Sequence, residues 1–154
     1  MAFCSDMTPA EREAFYRQVM DRSNLSEHFA TASGIRITFV GDQRAVGELT
    51  VTKHSLNPMG IVHGGCLATL ADTVAGTAVL AGGYKCVTLS YSFNFLRPAT
   101  GSCIHCAATP QKVGSNVSVM GVTLTNDQSK VVATGNFTFF HTGELTLEDL
   151  KPVR

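Results

Sequence analysis

The spacing of apolar residues changes along the chain, and each change predicts a different element. Ile35, Ile37 and Phe39 recur at every second position, which is typical of a half-buried strand. Positions 66–82 are almost entirely apolar or small, which indicates a helix buried on nearly every side. Positions 87–95 return to a period of two and form the clearest strand of the sequence. The chain therefore combines strands with one long core helix.

Turn and capping signals complete the prediction. A first helix is expected from Thr8 to about Arg22, because Thr8, Pro9 and Glu11 match an N-cap, a first helical position and a capping box. We expect its buried stripe to be Phe15, Val19 and Met20, with a short turn starting near positions 24–27. Six strands are predicted, at about 35–39, 44–54, 87–95, 102–111, 115–125 and 130–141. The tail from Glu144 is expected to be flexible.

This order of elements predicts an α+β fold. One mostly antiparallel sheet of about six strands, curled round a single apolar helix, buries that helix as the pattern requires. We divide the chain into an N-terminal helical arm (1–33), a sheet-and-helix domain (34–142) and a C-terminal tail (143–154).

Composition narrows the classes of function. The 154 residues suit one domain, and 12 basic against 12 acidic side chains argue against nucleic acid as the main partner. The five cysteines show no disulfide-like spacing and no secretory signal precedes them, so a cytoplasmic setting is expected. The apolar helix has the length of a membrane span, but its central carboxylate and the strands that follow argue against one.

Asp72 is the main candidate for chemistry. It is the only charged side chain between His63 and Lys85, and an isolated carboxylate in an apolar helix is costly unless something uses or pairs it. The structural alternative is a carboxylate that caps a loop or pairs with a buried cation. The functional interpretation is a base or nucleophile in an apolar pocket.

Gly64 and Gly65 begin the same helix. In the structural interpretation, the two glycines permit a tight turn and do nothing more. In the functional interpretation, their missing side chains let a substrate carbonyl approach the first N–H groups of the helix, as in an oxyanion hole. Gly64 and Asp72 are eight residues apart, about 12 Å along a helix axis at about 1.5 Å per residue. One carbonyl cannot lie about 3 Å from both. If both serve one reaction they come from two chains, so at least a homodimer is predicted.

Other polar residues have weaker arguments. His63 either bonds the loop or takes part in acid–base chemistry, and Asn57 either stabilises the turn or orients the substrate. Thr88 belongs to a small polar strand face, and the sequence alone does not choose which of its hydroxyls holds a water. The other members of that face are Ser90, Ser92 and Asn94.

The cysteines give little indication of a metal site. Cys103 and Cys106 are three apart, so in a strand they point to opposite faces and cannot easily share zinc. Cys66 is near a helix start but lacks a His–acid partner set, so we interpret it as packing. No metal is predicted.

The segment from Asn57 through His63, Gly64 and Gly65 to Asp72 resembles the hotdog-fold acyl-CoA thioesterases, in particular the phenylacetate-pathway (PaaI-type) branch. The resemblance covers about 34–142. It implies a hotdog fold and hydrolysis of aromatic or medium- to long-chain acyl-CoA. Sites are built across a dimer, and dimers commonly pair into tetramers. Coenzyme A belongs to the substrate, so no separate cofactor is implied.

The resemblance also assigns roles. Asp72 is the nucleophile or general base, Gly64 supplies the oxyanion-hole N–H, Asn57 positions the carbonyl or water, and His63 supports the thioester. Thr88 sits beside the acid of its own chain. Coenzyme A contacts are implied at Arg97, Lys112, Gly114, Ser115 and Asn116.

The sequence does not decide which residues line the acyl pocket. Met59, Leu67, Tyr91 and Phe93 are candidates to line it, and ordinary core packing explains them as well.

Two other functions remain as alternatives. One is a noncatalytic acyl-CoA-binding regulator on the same fold, which would lack the carboxylate. The other is an enoyl thioester hydratase, whose Asp and His usually lie a few residues apart. His63 and Asp72 are nine apart, so this alternative ranks last.

Overall fold

The computed structural model describes residues 6–151 and confirms the α+β class. One six-stranded sheet wraps a single long helix, and two further α-helices and a short 3₁₀ helix precede it in the described chain. The helices are α1 (Pro9–Ser23), α2 (Phe29–Ala32) and α3 (Gly64–Ala81). The strands are β1 (Ile35–Gly41), β2 (Arg44–Thr50), β3 (Tyr84–Phe95), β4 (Cys103–Val113), β5 (Val117–Asn126) and β6 (Val131–Glu144).

All the strands pair antiparallel, in the order β1-β2-β4-β5-β6-β3. Helix α3 touches all six strands. Its Leu70 and Val74 are fully buried, and the sheet comes close where Gly47 faces it, since a Cβ there would lie 2.7 Å from Val74 Cγ2. By length and composition α3 is also able to cross a membrane, but half of it is buried inside the protein, as expected of a core helix.

Helix α1 begins as predicted. Thr8 Oγ1 accepts from the Glu11 N–H, and the Glu11 carboxylate accepts from the Thr8 N–H, which completes the capping box. Phe15 and Val19 are buried in the main core and Met20 packs against it. The predicted arm is therefore packed onto the domain, although residues 1–5 lie outside the described part.

Two predicted segments are corrected. Strand β2 ends at Thr50 and does not reach His54, because Thr52 caps a short 3₁₀ helix over Lys53–Ser55. The tail was expected to be flexible, but Leu145 and Leu150 are buried, so the described part of it packs onto the core. Residues 152–154 lie outside the described range.

Strand β3 contains a bulge that changes which side chains face the helix. Thr88 pairs with Phe139 and Ser90 with Thr138, so Leu89 is the extra residue. Thr88 therefore shares the face of buried Phe139, and the expectation that it lies on the polar face with Ser90 is wrong. After the bulge Tyr91 pairs and stacks with buried Phe137 on this helix-facing side.

Candidate active site

Asp72 is a half-buried carboxylate in the middle of α3, directed at β3. The Thr88 hydroxyl donates a hydrogen bond of 2.8 Å to Asp72 Oδ1. This bond exists because the Leu89 bulge turns Thr88 towards the helix. Among residues 6–151, Asp72 Oδ2 accepts no hydrogen bond and no cation pairs with the carboxylate. The oxygen is therefore free to bind a water or a substrate.

The Cys86 thiol lies within electrostatic range of the Asp72 carboxylate. Burial raises the pKa of the neighbouring Cys86 thiol to about 12, and the negative charge of Asp72 adds to that rise. The thiol is therefore protonated at neutral pH and is no competing nucleophile.

The start of α3 presents one uncommitted backbone donor. His63 is the N-cap, and its Nδ1 accepts from the Gly65 N–H at 2.8 Å. The His63 carbonyl accepts from the Cys66 and Leu67 N–H groups. Within the described chain the Gly64 N–H has no acceptor. Because it lies at the positive end of the helix, this N–H is available to donate to an anion.

Asn57 holds the loop in front of this helix. Its Oδ1 accepts from the N–H groups of Met59 (2.9 Å) and Ile61 (3.3 Å), which closes an Asx-type turn. The Asn57 N–H donates to the Ile61 carbonyl. The Nδ2 group makes no hydrogen bond to any described residue, so it remains a donor for a ligand.

A cleft of about 310 Å³ opens beside Gly64. Phe95 lies against the helix start, since a Cβ at Gly64 would lie 3.1 Å from its ring. Arg97 stands at the cleft and donates from Nη1 to the Val131 carbonyl. The remaining lining is mostly apolar, from Ile61, Val62, Leu67, Leu96, Pro98 and Ala99, with Asn57.

Of the four candidate acyl-pocket residues, Leu67 alone lines this cleft. Tyr91 and Phe93 pack against Phe137, and Met59 is 83% exposed. Sequence reasoning did not single out Phe95, because only the tertiary packing places its ring against Gly64.

The remaining predicted contacts with coenzyme A lie at the other end of the sheet. Lys112, Gly114, Ser115 and Asn116 form the end of β4 and its turn to β5. His141 fixes that turn, because its N–H donates to the Asn116 carbonyl and its ring stacks on Tyr84 at 4.0 Å. Arg97 follows the opposite end of β3, so one chain does not bring the two groups together.

The two candidate reactive groups of one chain, the Asp72 carboxylate and the Gly64 N–H, are also far apart. Gly64 and Asp72 belong to one regular helix, so they stay about 12 Å apart along its axis. Each chain therefore offers a carboxylate with its Thr88 partner in one place and an anion-binding N–H in another.

Comparisons with known proteins agree with this arrangement. The family model of the thioesterase superfamily matches residues 59–133. The acyl-coenzyme A thioesterase PaaI of Escherichia coli is 34% identical over 105 residues, which are 68% of this chain and 75% of that protein. The solved structure of E. coli PaaI has a TM-score of 0.76 at 27% identity and covers 86% of this chain and 99% of its own.

A hypothetical thioesterase protein of Streptococcus pneumoniae, solved with coenzyme A, has a TM-score of 0.73 at 32% identity and covers 77% of this chain and 96% of its own. Two mutant structures of that protein carry alanine in place of an aspartate and of a threonine sixteen positions further on. Asp72 and Thr88 have the same separation. These relatives confirm the prediction that the protein is a thioester hydrolase. The chain belongs to the thioesterase superfamily, in its PaaI-type hotdog branch.

Proposed function

We propose that the protein hydrolyses acyl-CoA thioesters, with Asp72 as the group that activates water or attacks the substrate. The observation that carries the proposal is the Asp72 carboxylate itself: it is half-buried, unpaired with any described cation, and held through Oδ1 by Thr88. A carboxylate fixed through one oxygen presents the other in a defined direction, as a base or nucleophile requires.

The reaction needs a second chain. Strand β3 is the outer strand beside β6, and five large apolar side chains on it or just after it are more than half exposed, namely Val87, Leu89, Tyr91, Phe95 and Leu96. An unpaired apolar edge is a ready surface for pairing with another strand. Two β3 edges that pair antiparallel place the Phe95 end of one chain beside the first half of the other.

This pairing completes the site. Gly64 lies against Phe95 at the end of β3, and Asp72 is hydrogen-bonded to Thr88 in the first half of β3. Antiparallel pairing of two β3 edges therefore brings the Gly64 N–H of one chain towards the Asp72 carboxylate of the other. The same antiparallel pairing brings Arg97 of one chain towards the turn at 112–116 of the other. Arg97 and the residues of that turn then form one surface that suits the phosphates and the pantetheine of coenzyme A. We further propose that such dimers pair into tetramers.

The chemistry then follows from the free atoms. Water bound to Asp72 Oδ2 gives up a proton to the carboxylate as its oxygen bonds to the thioester carbon. The partner's Gly64 N–H stabilises the resulting oxyanion, helped by the helix dipole. The C–S bond breaks, and the sulfur leaves as the thiol of coenzyme A after taking a proton. If Asp72 attacks directly, the same steps pass through an anhydride that water opens.

The relatives support the substrate class. E. coli PaaI is named an acyl-coenzyme A thioesterase and the streptococcal protein was solved with coenzyme A, so we assign an acyl-CoA substrate. We further propose that the acyl group is aromatic or medium- to long-chain, as the resemblance to the PaaI-type branch implies. A cytoplasmic location fits this substrate and the four described cysteines, all of them free thiols.

The test is release of free thiol from a panel of aromatic, short and long acyl-CoAs. We expect hydrolysis, with the highest kcat/KM for an aromatic or a medium- to long-chain acyl group, and a homodimer or larger assembly in solution. Binding without thiol release would instead support the noncatalytic regulator. Loss of an enoyl-CoA chromophore without thiol release would support the hydratase.

Thr88→Val should lower kcat by about tenfold to a hundredfold while KM changes little. Valine keeps the shape of the side chain but removes the donor to Asp72 Oδ1, so the carboxylate loses its fixed direction. Thr88→Ser keeps the hydroxyl and is the matched control. Equal kcat values in the valine variant and the wild type would show that this hydrogen bond has no catalytic role.

A further inference from the structure

The outer face of the sheet, opposite α3, carries a second cluster of potentially reactive side chains. Cys103 and His105 are two apart in β4 and point to this face, and Glu48 pairs directly with His105 across the β2–β4 ladder. The alternate residues Ile104 and Cys106 are buried in the core. The cluster is therefore on the side of the sheet away from the Asp72 site.

The ligand atoms of the cluster have the spacing of a metal site. His105 Nδ1 is 3.7 Å and Cys103 Sγ is 3.9 Å from Glu48 Oε2, and all three atoms lie within 4.8 Å of one another. Zinc holds nitrogen and oxygen at about 2.0–2.2 Å and sulfur at about 2.3 Å, so tetrahedral ligand atoms are about 3.3–3.8 Å apart. Small side-chain rotations close the difference.

We propose that Glu48, Cys103 and His105 bind one divalent ion of the zinc class. One sulfur, one nitrogen and one oxygen are a donor set for Zn²⁺ or Co²⁺, whereas Mg²⁺ and Ca²⁺ require oxygen ligands. The His105 and Glu48 side chains are 45% and 35% exposed, so the ion has a path of entry and a water can fill the fourth position. Such an ion ties β2 to β4 across the sheet.

The charges around the cluster favour a cation. Asp127, whose carboxylate accepts from the Ser102 N–H, adds negative charge near Cys103 and His105. Arg36 on β1 lies opposite Glu48 in the strand register and is the opposing positive charge. Burial, with Glu48 and Asp127, raises the pKa of the Cys103 thiol above its ordinary value.

The experiment uses tag-free, reduced, metal-stripped protein with Cys4→Ser, which removes a thiol outside the described residues. Zn²⁺ is titrated against a chromophoric chelator, and Co²⁺ is added separately to record the charge-transfer band of a thiolate ligand. We expect one equivalent of Zn²⁺ per chain, a Co²⁺–thiolate band and a higher Tm with zinc. Cys103→Ser removes the band, and both Cys103→Ser and His105→Gln weaken zinc binding by at least about tenfold.

Cys106→Ala is the matched control, since this thiol belongs to the same strand but points into the core. It should keep the stoichiometry and the band. A band that survives Cys103→Ser, or Zn²⁺ affinities in the two ligand variants equal to that of the parent, overturns the proposal. Hydrolysis of acyl-CoA by Cys103→Ser should equal that of the parent, so this test and that of the proposed function can fail separately.

Discussion

Asp72→Asn should lower kcat for acyl-CoA hydrolysis by about 10²–10⁴-fold, the usual contribution of a positioned general base. Asparagine has nearly the same shape as aspartate, and its carbonyl oxygen can still accept from Thr88, so the helix and β3 should keep their contact. It cannot take a proton from water or form an anhydride. The measurement is thiol release under saturating substrate, with the assembly state checked by light scattering.

Asp42→Asn is the matched control, because Asp42 is an exposed residue in the turn between β1 and β2. It should retain wild-type kcat and KM. Binding of coenzyme A to Asp72→Asn should be close to that of the wild type, since the carboxylate is assigned to the chemical step. An Asp72→Asn variant with undiminished turnover would remove the carboxylate from the mechanism.

The sequence predicted the parts of this site that depend on local pattern. The isolation of Asp72 in an apolar helix and the glycine pair at the start of that helix are visible without coordinates. The helix geometry also sets the distance between them, from the rise per residue. The six strands and α1 follow from periodicity and capping chemistry.

The contact between Thr88 and Asp72 could not be derived from periodicity. A strict period of two groups Thr88 with Ser90, and only the register against β6 reveals that Leu89 is an extra residue. A bulge is determined by which partners two strands select, and that selection is a tertiary property. The resemblance to known thioesterases placed Thr88 beside the acid, whereas the alternation of polar residues placed it on the wrong face.

Other misses have the same origin. The tail from Glu144 is polar on average, but Leu145 and Leu150, five positions apart, are buried in the core once β6 has ended. Glu48 and His105 are far apart in sequence and become neighbours only through the β2–β4 ladder. Pairing between strands is encoded by many weak contacts, so a local motif does not reveal it.

Gly64→Pro should lower kcat by about 10²–10³-fold, the cost of losing one oxyanion-hole donor. Proline removes the N–H, and the backbone accommodates it because Gly64 is the first residue of α3 and its N–H has no acceptor in the described chain. His63 already has an extended conformation (φ −60°, ψ 135°), which a following proline requires. Thiol release at saturating substrate measures the effect.

Gly64→Ala is the control, since it adds a Cβ against Phe95 as proline does but keeps the N–H. It should retain far more activity than Gly64→Pro. Similar losses in both variants would assign the effect to crowding of Phe95 and leave the oxyanion hole without support.

The two changes together test whether the site is shared between chains. Gly64→Pro and Asp72→Asn chains carry different tags, are co-expressed, and are purified as mixed dimers. If each site takes Asp72 from one chain and Gly64 from the other, a mixed dimer has one site with both groups intact and one with neither. It should recover about half of the wild-type activity, while dimers of either variant alone stay nearly inactive. If both groups of a site belonged to one chain, every site would carry a defect and mixing would restore nothing.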